Sequence, residues 1–275
     1  MTINCKGSLI DLSTPKVMGI LNLTPDSFYD GGNYKDESQI LAQVEKMLTA
    51  GATFVDLGAY SSRPGADHIT IEEERKRIVP IVELLTNTFP EILLSIDTFR
   101  SVIAKECIEA GAAIINDISA GNMDEDMISC VGKLNVPYIM MHMKGTPQTM
   151  KSEDRYTDMI HEINSYFAEK VAEARKNGVH DIIIDPGFGF AKNTSQNFEL
   201  LKNLSLLQIH DLPILTGVSR KSMIYKTLNN TPAEALNGTT VLNTIAVQNG
   251  ASIIRVHDVK EAIECITLID SLNMV

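Results

Sequence analysis

A chain of 275 residues that is 44% hydrophobic and 21% charged is too apolar to stay disordered and large enough to bury a sizeable core. It contains no run of about 18 unbroken apolar residues, as a membrane span would need, and its opening MTINCKG lacks the basic-then-apolar pattern of a secretory leader, so a cytosolic protein is expected. A net charge of −11 argues against nucleic-acid binding, yet it leaves room for an anionic small molecule held by a local cluster of cations.

The chain opens with residues 3–12, which predict a small hairpin below the first strand of the main body. Short β-branched runs then recur at 16–21, 53–57, 92–96, 113–116, 136–141, 181–184, 213–216 and 252–256. Most are continuously apolar, as expected of parallel strands covered on both faces. An amphipathic stretch follows each. Leu41, Val44 and Leu48 share one face of the first, and Ile78, Val82 and Leu85 one face of the second. Gly51, Gly111, Gly178 and Gly250 stand where a helix should stop. Thr231-Pro232-Ala233-Glu234 supplies a cap, a first-position proline and a capping-box glutamate for the penultimate helix.

Eight such units predict a (β/α)8 barrel forming one domain over residues 1–275. A doubly wound sheet is the alternative, but no GxGxxG follows the first strand and no P-loop occurs. Cys5, Cys107, Cys130 and Cys265 are scattered without a CxxC pair, so they read as small apolar residues rather than zinc ligands or disulfide partners.

A barrel of this kind carries its site at the C-terminal ends of the strands. There the sequence turns polar: Asn22, Asp56, Asp97, Asn116 with Asp117, His142, Asp185, then Ser219, Arg220 and Lys221, and finally Arg255 and His257. Burying such groups unpaired costs about 1–3 kcal/mol each, so their presence at all eight ends points to a ligand. Asp97, Asp185 and Asn116 can pair with a flat heterocycle offering adjacent N–H donors. Arg63, Lys221, Arg255 and His257 suit phosphate. Asn22 offers a neutral oxygen to Mg²⁺, which keeps most of its own waters. Two loops, NLTPDSFYDGG after the first strand and SSRPGA after the second, have the composition of site-covering loops.

Taken in order, MGILNLTPDSFYDGG (18–32), SSRPGA (61–66), SIDTF (95–99), NDIS (116–119), DPGFGF (185–190), GVSRKS (217–222) and RVHDV (255–259) resemble the dihydropteroate synthases of folate synthesis over essentially the whole chain. The resemblance implies an enzyme that joins 4-aminobenzoate to (7,8-dihydropterin-6-yl)methyl diphosphate and releases diphosphate. It implies that Asp97, Asn116, Asp185, Met140 and Lys221 hold the pterin, that Ser62, Arg255 and His257 contact its diphosphate, and that Asn22 ligates Mg²⁺. It places 4-aminobenzoate among Phe28, Arg63, Pro64, Phe190 and Lys221, its carboxylate at Ser219 and the start of the following helix. Asp97, Arg63, Lys221 and Asp30 are the implied catalytic groups, and a homodimer through helices on the far side of the barrel is implied as well. His142 reads as structural.

The chain departs from the usual family pattern at Tyr60, where many members carry glutamate, and at Ser62, where threonine is usual. A pterin methyltransferase and a non-catalytic pterin-binding relative are the alternatives. Retention of Arg63, Ser219, Lys221, Arg255 and His257 weighs against the first, and intact loop motifs against the second.

Overall fold

A computed structural model describes residues 1–23, 34–61 and 68–274. An antiparallel hairpin, β1 (Thr2–Cys5) and β2 (Ser8–Asp11), precedes the main sheet. The barrel strands are β3 (Lys16–Asn22), β4 (Phe54–Gly58), β5 (Leu94–Asp97), β6 (Ile114–Asp117), β7 (Tyr138–Met141), β8 (Ile182–Asp185), β9 (Leu215–Thr216) and β10 (Ile253–Val256). They pair in parallel in the order β8-β7-β6-β5-β4-β3-β10-β9, and a bridge between Ile184 and Ile214 closes the ring. The expected (β/α)8 barrel with its N-terminal hairpin is the fold observed.

The helices around it are α1 (Tyr34–Thr49), α2 (Ile71–Thr88), α3 (Ser101–Glu109), α4 (Met127–Leu134), α5 (Met159–Lys176), α6 (Thr194–Lys202), α7 (Ser222–Thr227), α8 (Leu236–Gln248) and α9 (Val259–Asn273). Gly51, Gly111, Gly178 and Gly250 all take the left-handed conformation expected of residues that end a helix. Two local expectations shift. In α1 the buried stripe runs through Ile40, Val44 and Met47, with Leu41 and Leu48 flanking it. The capping box at Thr231 and Glu234 forms, but it opens a single 3₁₀ turn, Pro232–Glu234, and α8 begins two residues further on. The carbonyls of Pro232 and Ala233 are taken by the Arg220 guanidinium, both at 3.1 Å.

Strand alternation sorts the side chains into layers. Val55, Leu57, Leu94, Ile96, Ile115 and Ile184 pack outward against the helices. Inward at the N-terminal end lie Met18, Phe54, Ile114, Ile139, Ile183, Leu215 and Ile253, and the hairpin contributes Ile3, Cys5 and Leu12 to the same cluster. The hairpin is thus a lid on the barrel floor. Its backbone is also tied there, Asn4 N–H donating to Asp181 Oδ2 at 3.2 Å. At the opposite end a small rim cluster of Tyr60, Phe99, Ile118, Met141, Met143, Met150 and Ala191 leaves the middle of the mouth to polar groups. The four cysteines are free, and Cys5 sits in the floor cluster with burial pushing its thiol up to about 12.

Candidate active site

The mouth is organised around Arg255, on β10. Its Nε donates to Asp56 Oδ2 at 2.6 Å and a terminal nitrogen donates to Asp97 Oδ2 at 2.9 Å. Asp56, from the middle of β4, is fully buried and also accepts from Asn116 Nδ2 of β6 at 3.2 and 3.3 Å. Four strands are therefore stitched together by one guanidinium and two carboxylates. Burial opposes the charge on Arg255, but Asp56 and Asp97 outweigh it and hold the guanidinium protonated. Burial also drives Asp97 up to about 7, against the attraction of Arg255.

Asp185 ends β8 and is buried. Its Oδ1 accepts from Gly187 N–H at 2.8 Å, and burial raises its carboxyl above the usual range despite that bond and the nearby charges of Lys221 and Arg255. Among the described residues only one oxygen of Asp97 and one of Asp185 takes a hydrogen bond, so each keeps an acceptor for something else. Lys221 donates to the Phe188 carbonyl and stands 4.5 Å above the Phe190 ring. Burial lowers its ammonium to about 8, with Asp185 resisting.

Ser219 is buried and pairs with His257, Oγ to Nδ1 at 3.0 Å, while the His257 backbone N–H donates back to Ser219 Oγ at 3.2 Å. The helix expected from Ser219 starts only at Ser222, because Arg220 takes a left-handed turn (φ 54°) and its guanidinium forks onto Asp258 at 2.7 and 2.9 Å. Asn22 ends β3, is half-buried, and its side-chain amide has no hydrogen-bond partner among the described residues. Phe28, Asp30, Ser62, Arg63 and Pro64 lie outside the described residues.

One expected residue is misplaced. Met140 does not face the mouth: it is packed with Tyr138 and Ile184 in the layer between barrel and helices. Met141 is the residue of β7 at the mouth, in the rim cluster and paired in register with Asp185. Successive strand residues point to opposite faces, so a one-residue slip exchanges inside for outside. The pair at β6 divides the same way. Asn116 turns inward, whereas Asp117 accepts from Tyr138 Oη (2.6 Å), Ser119 N–H (2.8 Å) and Gly121 N–H (2.7 Å) and serves the fold.

The unusual Tyr60 has a defined place. Its hydroxyl is 3.1 Å from His68 Nδ1 and accepts from Gln148 Nε2 at 3.1 Å, so it joins the two ends of the second loop. Behind it Arg100 pairs with buried Glu74 at 2.7 Å and donates to the Ile69 carbonyl at 2.6 Å. Sequence reasoning passed over Glu74, Arg100 and Lys192, since charged residues in helices and loops carry no local sign of burial. Asp56 it noted only as polar.

The profile of the pterin binding enzymes matches residues 18–257. The dihydropteroate synthase of Escherichia coli K12 is 41% identical over 273 residues, covering 98% of this chain and 96% of its own. The chain belongs to the dihydropteroate synthase family. The Haemophilus influenzae synthase is 39% identical, covering 94% of both chains. Among solved structures, the Yersinia pestis synthase in a sulfonamide drug complex superposes with a TM-score of 0.94 at 40% identity over the whole of both chains. The Xanthomonas albilineans synthase with 4-aminobenzoic acid gives 0.92 at 34% identity, covering 100% of this chain and 98% of that one. Family members are transferases, and this chain is one of them.

Proposed function

We propose that this chain condenses (7,8-dihydropterin-6-yl)methyl diphosphate with 4-aminobenzoate to give 7,8-dihydropteroate and diphosphate, the whole chain acting as one pterin-binding domain. The carrying observation is the mouth itself, where Asp97 and Asp185 are held with raised carboxyl affinities for protons and with one acceptor oxygen each to spare. A buried carboxylate in that state favours a ligand that brings paired N–H donors, and a pterin edge does so. A ring lacking those donors leaves the charge buried and unpaired. Asn116 adds its amide, Met141 an apolar wall, and Lys221 a cation at the same mouth.

Loss of diphosphate from the electron-rich dihydropterin leaves a delocalised cation. The Asp97 carboxylate is assigned to stabilising that cation. Arg255, His257, Ser62 and Arg63 are assigned by resemblance to the leaving diphosphate. The aniline nitrogen is neutral near pH 7 and attacks the methylene carbon without a strong base. Its ring and carboxylate are assigned to Phe28, Arg63, Pro64, Phe190, Ser219 and Lys221, and Asp30 to orienting the amine or the metal shell. Asn22, whose half-buried amide oxygen is uncommitted, fits a single neutral ligand to Mg²⁺. A bound Mg²⁺ would supply charge neutralisation to the diphosphate. Among the described residues no group of three His, Cys, Asp or Glu side chains could hold a metal ion.

An incubation with Mg²⁺ and both substrates, following diphosphate and dihydropteroate together, tests this. Equal formation of the two products is expected. Diphosphate alone would break the amine half of the assignment, and neither product would break the whole. The α8–α9 face, a groove lined by Thr240, Thr244, Leu268 and Leu272 with both leucines well exposed, supports a homodimer, which sedimentation at equilibrium would register as twice the chain mass. A cytosolic setting accords with the observation that none of the described helices is long and apolar enough to cross a membrane.

A further inference from the structure

Next to the pterin pocket lies a buried cation that the proposed chemistry does not use. Lys192 closes the turn that follows Asp185, and its ammonium is surrounded by three acceptors: His142 Nδ1 at 3.0 Å, the Gly187 carbonyl at 3.1 Å and the Phe190 carbonyl at 3.0 Å. Among the described residues no carboxylate lies within hydrogen-bond distance of it. The charged groups facing it are Asp185 at the end of β8, Lys221 at the start of α7 and Lys144 after β7, with His142 against its head. Burial holds His142 neutral, down to about 2, so its ring nitrogen is free to accept.

The turn is bound at nearly every carbonyl. Phe188 O accepts from Lys221, Ala191 O from Tyr156 Oη at 2.9 Å, and Lys192 O from Asn197 Nδ2 at 3.1 Å. Gly187 (φ 73°) is pressed so closely on β7 that a Cβ there would lie 2.1 Å from the His142 carbonyl. This segment carries the groups of the pocket: Asp185, whose Oδ1 is fixed by Gly187 N–H, the Phe190 ring, and the carbonyl that holds Lys221.

We infer that Lys192 is a positioning residue that latches this turn in the geometry the substrates require, and that the latch needs its protonated, three-donor form. An ammonium has three N–H donors for the three acceptors, whereas a neutral amine has two and keeps the third contact only if the His142 imidazole shifts its proton to Nδ1 and donates to the amine, with the charge assistance lost. Burial among other cations brings Lys192 down to about 7, so the latch weakens as pH rises through neutrality. The inference rests on the proposed reaction for its kinetic readout only.

The test compares wild type with Lys192→Met and His142→Leu in the full chain, by hydrogen–deuterium exchange of amides 187–191 and by steady-state kinetics from pH 6 to 9. In Lys192→Met these amides exchange faster. KM for the pterin diphosphate rises about tenfold, the loss expected when a hydrogen bond from a charged group is removed from a binding turn, while kcat moves less. A folded Lys192→Met with wild-type exchange and KM would overturn the inference. If that variant does not fold, His142→Leu decides. Two remaining acceptors need only the two donors of a neutral amine, so the part of the KM rise with pH that Lys192 supplies is lost. Asp97 and Lys221 titrate alike in both proteins, and an unchanged profile would count against the latch. If wild type shows no turnover, the reaction reading fails and the exchange measurement alone tests the latch.

Discussion

The two ends of the barrel are built on opposite principles. At the floor, Ile3, Met18, Phe54, Ile139, Ile183 and Ile253 close a dry apolar cluster under a hairpin. At the mouth, Asp56, Asp97, Asn116, Asp185, Lys192 and Arg255 sit buried or half-buried, paired with one another and with backbone. Apolar burial contributes about 25 cal/mol per Å² and asks only for shape. Buried charge costs free energy unless partners are in place, and part of that cost is relieved only by a ligand. The floor stabilises the barrel. The mouth holds groups that the fold alone would not favour, as a binding site must.

Arg255→Met should break this contrast most severely. It strands Asp56 and Asp97 as buried carboxylates, and about 3–5 kcal/mol of stability should be lost along with turnover. Adding Asp56→Asn should recover part of the stability but none of the activity, as urea melts and product assays would show. At the floor, Ile3→Ala should cost about 2–5 kcal/mol in the same melts and leave kcat/KM unchanged. A loss of activity in the folded variant would mean that the two ends are coupled.

Asp185→Asn should weaken pterin binding by about 1.5–3 kcal/mol even at saturating 4-aminobenzoate, with no loss in the melt because a buried charge has been removed. Unchanged affinity would contradict its place in the pocket. The smallest effect concerns pH. Because the folded value for Asp97, about 7, lies above its ordinary 3.8, protonation favours the native state. Its contribution to stability is therefore present below about pH 4 and is lost as pH rises through 7. Function runs the other way, since only the carboxylate accepts from pterin. kcat/KM should fall below about pH 7, and Asp97→Asn should flatten that limb.

Much of this was legible from local pattern. Strand positions, the hairpin, the helix-ending glycines and the ring of polar strand ends follow from periodicity and turn chemistry, which act over a few residues. The family motifs mark the same ends. What the chain did not disclose locally is which way each side chain turns and what it meets. Met140 and Met141 are adjacent and alike, and only the register of β7 against β8 puts Met141 at the mouth. Lys192 reads as an ordinary loop cation until His142, fifty residues away, is packed against it. Nothing near Arg255 in the chain shows that its Nε is held by Asp56, 199 residues away.

The architecture and the location of the site follow from local pattern, because hydrophobic period and backbone preference are properties of neighbouring residues. The electrostatics arise only from long-range packing. Burial, counter-ions and donor counts arise where β4, β5, β8 and β10 bring distant residues together, and there the affinity of Asp97, Lys192 and Lys221 for a proton is set.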